Sequence, residues 1–249
     1  MKYKLIYLIV FFPLLIFAQD LNITTISPII IRAIPHDTNA FTQGLFYFNG
    51  YLYESTGLYN KSSFRLINVK NGEIKRIIPV KDIFAEGCAK MCTTVVQLSW
   101  KERTAIVYNI STLSQIKAFY YEGEGWGLTS NDSLYYMSNG SDTIYVRNNK
   151  FNVIKKIPVT VNKKPLLNLN ELEFVNGYIY ANVWFDNFIY KINIKSGNVV
   201  KIVDCKNIIK ANGSNSNQDV LNGIAFNKDT KTFFLTGKNW KYIFEVRME

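Results

Sequence analysis

Glu86 is the carboxylate in this chain best placed to do chemistry. It follows Phe84-Ala85 and precedes Gly87-Cys88 at the opening of an apolar, β-rich run, where nothing in the adjacent sequence compensates its charge. Desolvation disfavours the ionised form, so such a group is expected to titrate above the ordinary carboxylate range. That suits it to pass protons as a general acid and base. Polar side chains that can orient a substrate or hold a developing oxyanion occur at comparable places in other runs: Gln43, Asn170 with Glu171, Asn222 and Lys238. Phe41, Phe84, Trp100, Trp126 and Trp184 accompany them. Aromatic walls with a few converging polar groups make small-ligand pockets. Each also has a structural reading when taken singly: a lone indole is more often core, and Lys238 is equally at home on a solvated turn.

What would bring these residues together is a repeat. The strings Thr42-Gln43-Gly44-Leu45, Ala85-Glu86-Gly87-Cys88, Gly125-Trp126-Gly127-Leu128, Asn170-Glu171-Leu172-Glu173 and Leu221-Asn222-Gly223-Ile224 recur every 40 to 50 residues or so, the length of a four-stranded propeller blade. Each opens a β-rich run that is followed by a turn and further runs. Asn49-Gly50 and Asn176-Gly177, set between apolar runs, are strong hairpin signals, and no stretch shows a sustained period of 3.6. The fold expected is therefore all-β, a five-bladed β-propeller over residues 28–249. Its last unit stops one strand short at the C-terminus, and Ile29 to Ile34 can supply the missing strand and close the ring. Lys210 to Gln218 reads as a loop before the last blade. In such a ring the first strand of every blade lines the channel, so the residues above converge on one mouth.

Those residues sit in strings that closely resemble the plant and bacterial glutaminyl-peptide cyclotransferases (glutamine cyclotransferases): Ala40-Phe41-Thr42-Gln43-Gly44-Leu45, Ala85-Glu86-Gly87, Ser99-Trp100-Lys101, Gly123-Glu124-Gly125-Trp126-Gly127-Leu128, Leu169-Asn170-Glu171-Leu172-Glu173, Ala181-Asn182-Val183-Trp184 and Thr236-Gly237-Lys238. The resemblance is collinear from about residue 30 to the C-terminus. It implies a five-bladed propeller that converts an N-terminal glutaminyl residue to pyroglutamate with release of ammonia, without metal or other cofactor. It also implies that Glu86 is the proton-transfer carboxylate, that Asn170 and Lys238 are its polar partners, and that Gln43, Phe41, Phe84, Trp100, Trp126 and Trp184 position the substrate. Cys88 and the Cys92-Thr93 turn depart from the family pattern, which puts the local hairpin in question. Two other readings of the same mouth are a non-catalytic peptide-binding propeller and a calcium-dependent hydrolase of lactonase type. The latter would use Glu86, Glu171, Asn170 and Asn222.

The rest of the sequence sets the context. Lys2 and Lys4, the apolar run Leu5 to Phe17 and the small Ala18 have the layout of a signal peptide over residues 1–18. The apolar run is shorter than the roughly 20 residues that span a bilayer. Residues 19–27 read as a short linker, the product as exported to a periplasm or the exterior, and Gln19 as a mature N-terminus that is itself a possible substrate. Cys88, Cys92 and Cys205 have no metal-site spacing and are not expected to form an essential disulfide. The one histidine, His36, could complete a triad but reads better as structural. A net charge of +10 raises the question of nucleic acid, but the cations are scattered and phosphate binding needs them clustered. A monomer is expected.

Overall fold

The computed structural model of the chain describes residues 23–213 and 219–248; the signal peptide expected over 1–18 lies outside them. Four antiparallel meanders follow one another. Blade 1 comprises Thr42–Phe48, Tyr51–Thr56, Ser63–Asn68 and Ile74–Pro79, and blade 2 comprises Ala85–Met91, Thr94–Ser99, Thr104–Asn109 and Gln115–Tyr120. Blade 3 is built from Leu128–Ser130, Tyr135–Met137, Thr143–Arg147 and Val153–Pro158, and blade 4 from Leu169–Val175, Tyr178–Val183, Phe188–Asn193 and Val199–Asp204. Blade 5 has Leu221–Asn227, Thr232–Gly237 and Tyr242–Arg247, and its outermost strand is Ile29–Pro35, paired antiparallel with Tyr242–Arg247.

Turn chemistry fixes the hairpins. Asn49-Gly50 and Asn176-Gly177 both have positive φ at the two central residues, the backbone of a type I′ turn that matches strand twist. The Cys92-Thr93 turn closes its hairpin as well, with Met91 paired to Thr94 and Cys92 at φ 51°. Burial follows position in the ring. The inner strands are buried on both faces because each blade is covered by two others, so Thr232–Gly237 is buried throughout, whereas the outer Val153–Pro158 is mostly exposed. The core is accordingly divided into face-to-face layers, one between each pair of successive blades, such as Phe46, Tyr53 and Phe64 of blade 1 against Cys88, Val95 and Tyr108 of blade 2.

Two elements differ from the sequence reading. The linker expected over 19–27 contains a strand, Thr24–Ile26, which pairs parallel with Val199–Asp204 on the outside of blade 4. Of the loop expected over Lys210 to Gln218, the first three residues belong to a helix, Lys206–Asn212, ended by Gly213 in the left-handed region at φ 64°, and residues 214–218 lie outside the described residues. At seven residues the helix is too short to display a period. His36 proves structural: its Nδ1 faces Trp240 O at 3.0 Å and its Nε2 faces Glu54 Oε1 at 2.9 Å, inside the seam between blades 5 and 1. Burial pushes the Glu54 carboxyl up, but His36, Arg65 and the Thr42 hydroxyl outweigh it and hold the group below its ordinary value. All three cysteines are free thiols, with Cys88 and Cys205 buried.

Space is short at the axis of the ring. Gly44, Gly87 and Gly223 on the inner strands of blades 1, 2 and 5, and Gly127 immediately before the inner strand of blade 3, occupy equivalent positions in the repeat. A Cβ on Gly44 would lie 2.5 Å from Cys88 N, and one on Gly127 would lie 1.9 Å from Asn170 O. Blade 4 has Glu171 at this position, and its carboxyl accepts the backbone N–H groups of Leu45 and Ile224 at 3.3 and 2.9 Å. Gly44→Ala is expected to lower the free energy of unfolding by about 3 kcal/mol, since backbone rather than a flexible side chain must move. Gly50, with φ +82° and open space around its α-carbon, is the control: Gly50→Ala should cost only about 1 kcal/mol. Urea unfolding of the two variants checks this, and equal losses would mean that crowding at the axis is unimportant.

Candidate active site

The residue before each axial position lines the cavity at the mouth of the channel in blades 1 to 4, and in blade 5 it lies buried behind the wall. These residues are Gln43, Glu86, Trp126, Asn170 and Asn222. In blades 1, 2, 4 and 5 the pairing register between the first and second strands slips at this point, between Thr42 and Gly44, Ala85 and Cys88, Leu169 and Leu172, and Leu221 and Ile224. Such bulges interrupt the alternation of side chains and re-aim them. The chain can thus direct Asn170 to the mouth while its neighbour Glu171 fills the axis.

A second set comes from the first residue after the second strand. Trp100 N donates to Phe84 O at 2.8 Å, Trp184 N to Asn168 O at 2.9 Å and Lys238 N to Val220 O at 3.0 Å. The same backbone bond in three blades therefore delivers two indoles and an ammonium to the rim. Together with Phe41 and Phe84 these groups enclose a cavity of about 310 Å³ lined by Phe41, Gln43, Phe84, Glu86, Trp100, Trp126, Asn170, Trp184, Phe185 and Lys238. Of the residues that the sequence pointed to, Phe41, Gln43, Phe84, Glu86, Trp100, Trp126, Asn170, Trp184 and Lys238 are in this wall, and Glu171 and Asn222 are not. Phe185 is the addition. It is held at φ 63° beside Trp184, with ring centroids 4.7 Å apart, and is 61% exposed at the lip.

Glu86 is buried at the floor, 4% exposed. Gln43 Nε2 donates to its Oε1 at 2.8 Å, and Asn222 Nδ2 donates to Gln43 Oε1 at 3.1 Å and to Thr42 O at 2.9 Å. Asn222, outside the cavity wall, thus fixes which end of the Gln43 amide meets the carboxylate. Burial drives the Glu86 carboxyl well above its ordinary value, against the opposing pull of Lys238 and the Gln43 hydrogen bond. Burial likewise lowers the Lys238 ammonium, against the pull of Glu86. The Lys238 Nζ sits over the Phe41 ring, 4.7 Å from its centroid. A buried carboxylate, a cation and an amide lining one apolar cavity are the kind of parts from which a general acid and base with an electrostatic partner can be built.

Glu171 does not join Glu86 in the cavity wall. Glu171 bonds backbone at the axis and its carboxyl is pushed well above the ordinary range, first by burial and then by Glu173. Among the described residues no group of three His, Cys, Asp or Glu is placed to hold a metal ion, and no helix is long and apolar enough to cross a membrane.

Comparisons with known proteins agree with this arrangement. The family model described as glutamine cyclotransferase matches residues 12–248. The glutaminyl-peptide cyclotransferase of Arabidopsis thaliana is 32% identical over 226 residues, covering 88% of this chain and 71% of that protein. The crystal structure of Myxococcus xanthus glutaminyl cyclase superposes with a TM-score of 0.86 at 32% identity, over 90% of this chain and 97% of that one. With the repeat, the closed ring and the buried Glu86 at its mouth, these similarities show that the chain belongs to the glutamine cyclotransferase family.

Proposed function

We propose that this protein converts the N-terminal glutaminyl residue of peptides and proteins to pyroglutamate, with Glu86 as the group that moves the protons. The observation that carries the reading is the buried Glu86, held by Gln43 at the floor of an apolar cavity with Asn170 and Lys238 in its wall. At about 310 Å³ the cavity lies at the small end of ligand sites. It suits one folded side chain, with the remainder of the peptide leaving through the mouth.

The reaction forms one C–N bond and breaks another. The substrate's α-amine attacks its own γ-amide carbonyl and gives up a proton to the Glu86 carboxylate. Asn170 and Lys238 hold the oxyanion of the tetrahedral intermediate. Glu86 then returns the proton to the amide nitrogen, and the oxyanion collapses to the lactam carbonyl as the C–N bond breaks and ammonia leaves the ring closed by the attack. The aromatic wall of Phe41, Phe84, Trp100, Trp126 and Trp184 keeps the flexible glutamine side chain folded for attack, the proximity contribution. No step calls for a metal ion. The enzyme acts as a monomer, since one chain closes the ring and lines the whole cavity, and its signal-like residues 1–18 direct it out of the cytoplasm.

Ammonia release from a short Gln-initiated peptide, with EDTA present, is the direct test. Wild type should turn over and Glu86→Gln should lose about a hundredfold or more, the scale of a general acid and base. A folded wild type without turnover would leave a binding propeller instead, and an active Glu86→Gln would sink the mechanism.

The pH dependence has a defined sign. Glu86 must start ionised, and its carboxyl is raised, so activity should fall on acidification with a midpoint above the ordinary 4.5. Lys238 favours the ionised form, so Lys238→Met should move that midpoint further up as well as lower kcat. A kcat/KM profile that keeps its acid limb in place in Lys238→Met would contradict the electrostatic coupling of the two groups.

A further inference from the structure

Ring contacts knit the aromatic lining into two groups. Phe41 meets Phe84 edge-on with centroids 6.1 Å apart, and Phe84 meets Trp100 at 5.6 Å. Trp126 meets Trp184 edge-on at 5.5 Å, and Trp184 meets Phe185 at 4.7 Å. The first group hangs on blades 1 and 2 and the second on blades 3 and 4. One carboxylate oxygen joins them: Oε2 of Glu124 accepts from Trp100 Nε1 at 2.7 Å and from Trp126 Nε1 at 3.0 Å.

The position of Glu124 in the repeat makes the same point. Phe41 and Phe84 stand two residues before Gln43 and Glu86, and Glu124 stands two residues before Trp126. Blade 3 therefore places a carboxylate where blades 1 and 2 place a phenyl ring of the wall. Its backbone is tied down, because the adjacent Gly125 N donates to Trp100 O at 3.0 Å. The Lys101 ammonium lies 3.8 Å from the centroid of the Trp100 ring, so that indole is held through its face as well as its edge.

We propose that Glu124 is a positioning residue for the cyclisation: by holding the indoles of Trp100 and Trp126 across the seam between blades 2 and 3, it sets the width of the cavity that keeps the glutamine side chain folded. The inference rests on the cyclotransferase reading above. The residue touches no reacting atom and acts through the two tryptophans, whose backbones are held on both N–H and C=O but whose indole N–H groups have Glu124 as their acceptor in an apolar wall. A second effect is separable from geometry. Glu86 feels Lys238 as an opposite charge and Glu124 and Glu102 as like charges, with the Tyr121 hydroxyl nearby. Removing the Glu124 charge should therefore ease Glu86 ionisation.

Three variants divide the two effects, with kcat and KM for a Gln-initiated peptide measured across pH and indole order followed by near-ultraviolet circular dichroism. Glu124→Gln keeps an oxygen able to accept from both indoles. It should hold KM within about threefold and the indole signal near wild type, while the acid limb of kcat/KM moves to lower pH. Glu124→Ala keeps no acceptor and should raise KM about tenfold or more, lower kcat and weaken the indole signal, geometry being what proximity depends on. Glu124→Asp keeps the charge and loses the reach, so KM should rise while the acid limb stays in place. A wild-type KM in a cooperatively folded Glu124→Ala would overturn the proposal, as would equal KM increases in Glu124→Gln and Glu124→Ala. Should the alanine protein fail to fold, the opposed behaviour of the Gln and Asp variants decides the matter. A wild type without turnover would instead remove the reaction reading, and the dichroism comparison would still show whether Glu124 orders the two indoles.

Discussion

Everything at the mouth of this ring depends on how closely the inner strands approach at its axis. Backbone meets backbone there, and blades 1, 2 and 3 accept this by carrying glycine at the point of contact, while Gly223 of blade 5, at φ +127°, lies against the Thr236 and Thr42 side chains. Glycine at every blade would leave backbone N–H groups unsatisfied in a dry centre, and buried donors are nearly always paired. A side chain at every blade would not fit. The solution is one long carboxyl, Glu171, which crosses the axis and accepts from Leu45 and Ile224. The bulges that permit this crowding also turn the preceding residue of the strand outward, so the floor of the cavity follows from how the ring closes.

The electrostatics of the cavity follow from the same packing. An apolar wall around Glu86 and Lys238 opposes the charge on each, while each draws the other back toward its ionised form. A carboxyl balanced in this way can take a proton and return it, as a shuttle must. Gln43 and Asn222 add direction: the chain of donors from Asn222 through Gln43 ends on Oε1 of Glu86, which leaves the other oxygen for a substrate. The fold accepts the cost of burying these groups because the blade interfaces on either side are apolar and continuous.

The ring and its cavity were largely legible in the sequence because the architecture is periodic. Five similar strings mark the five inner strands, and equivalence alone brings Glu86, Asn170 and Lys238 to one mouth. What escaped has no period. Thr24–Ile26 is a strand only because the edge of blade 4 is there to pair with it, and Lys206–Asn212 is barely two turns of helix. Phe185 reaches the lip through a left-handed backbone that a phenylalanine rarely adopts and no composition signals. Asn222 and Glu124 stood in recognisable strings, but their bonds join different blades, and a linear reading cannot see which tips meet across a seam.

The outermost strand of blade 5 precedes the other four blades in the sequence and its partner follows them. Synthesis runs in one direction and domains are completed accordingly, so Glu86 and its aromatic neighbours exist well before Tyr242–Arg247 arrives to receive Ile29–Pro35. Lys238 lies just ahead of that last strand. The ring therefore acts as a clasp on its own cavity: a chain still being made carries the Glu86 carboxylate without the closed wall around it, and the cavity comes into being at the moment Ile29–Pro35 and Tyr242–Arg247 meet.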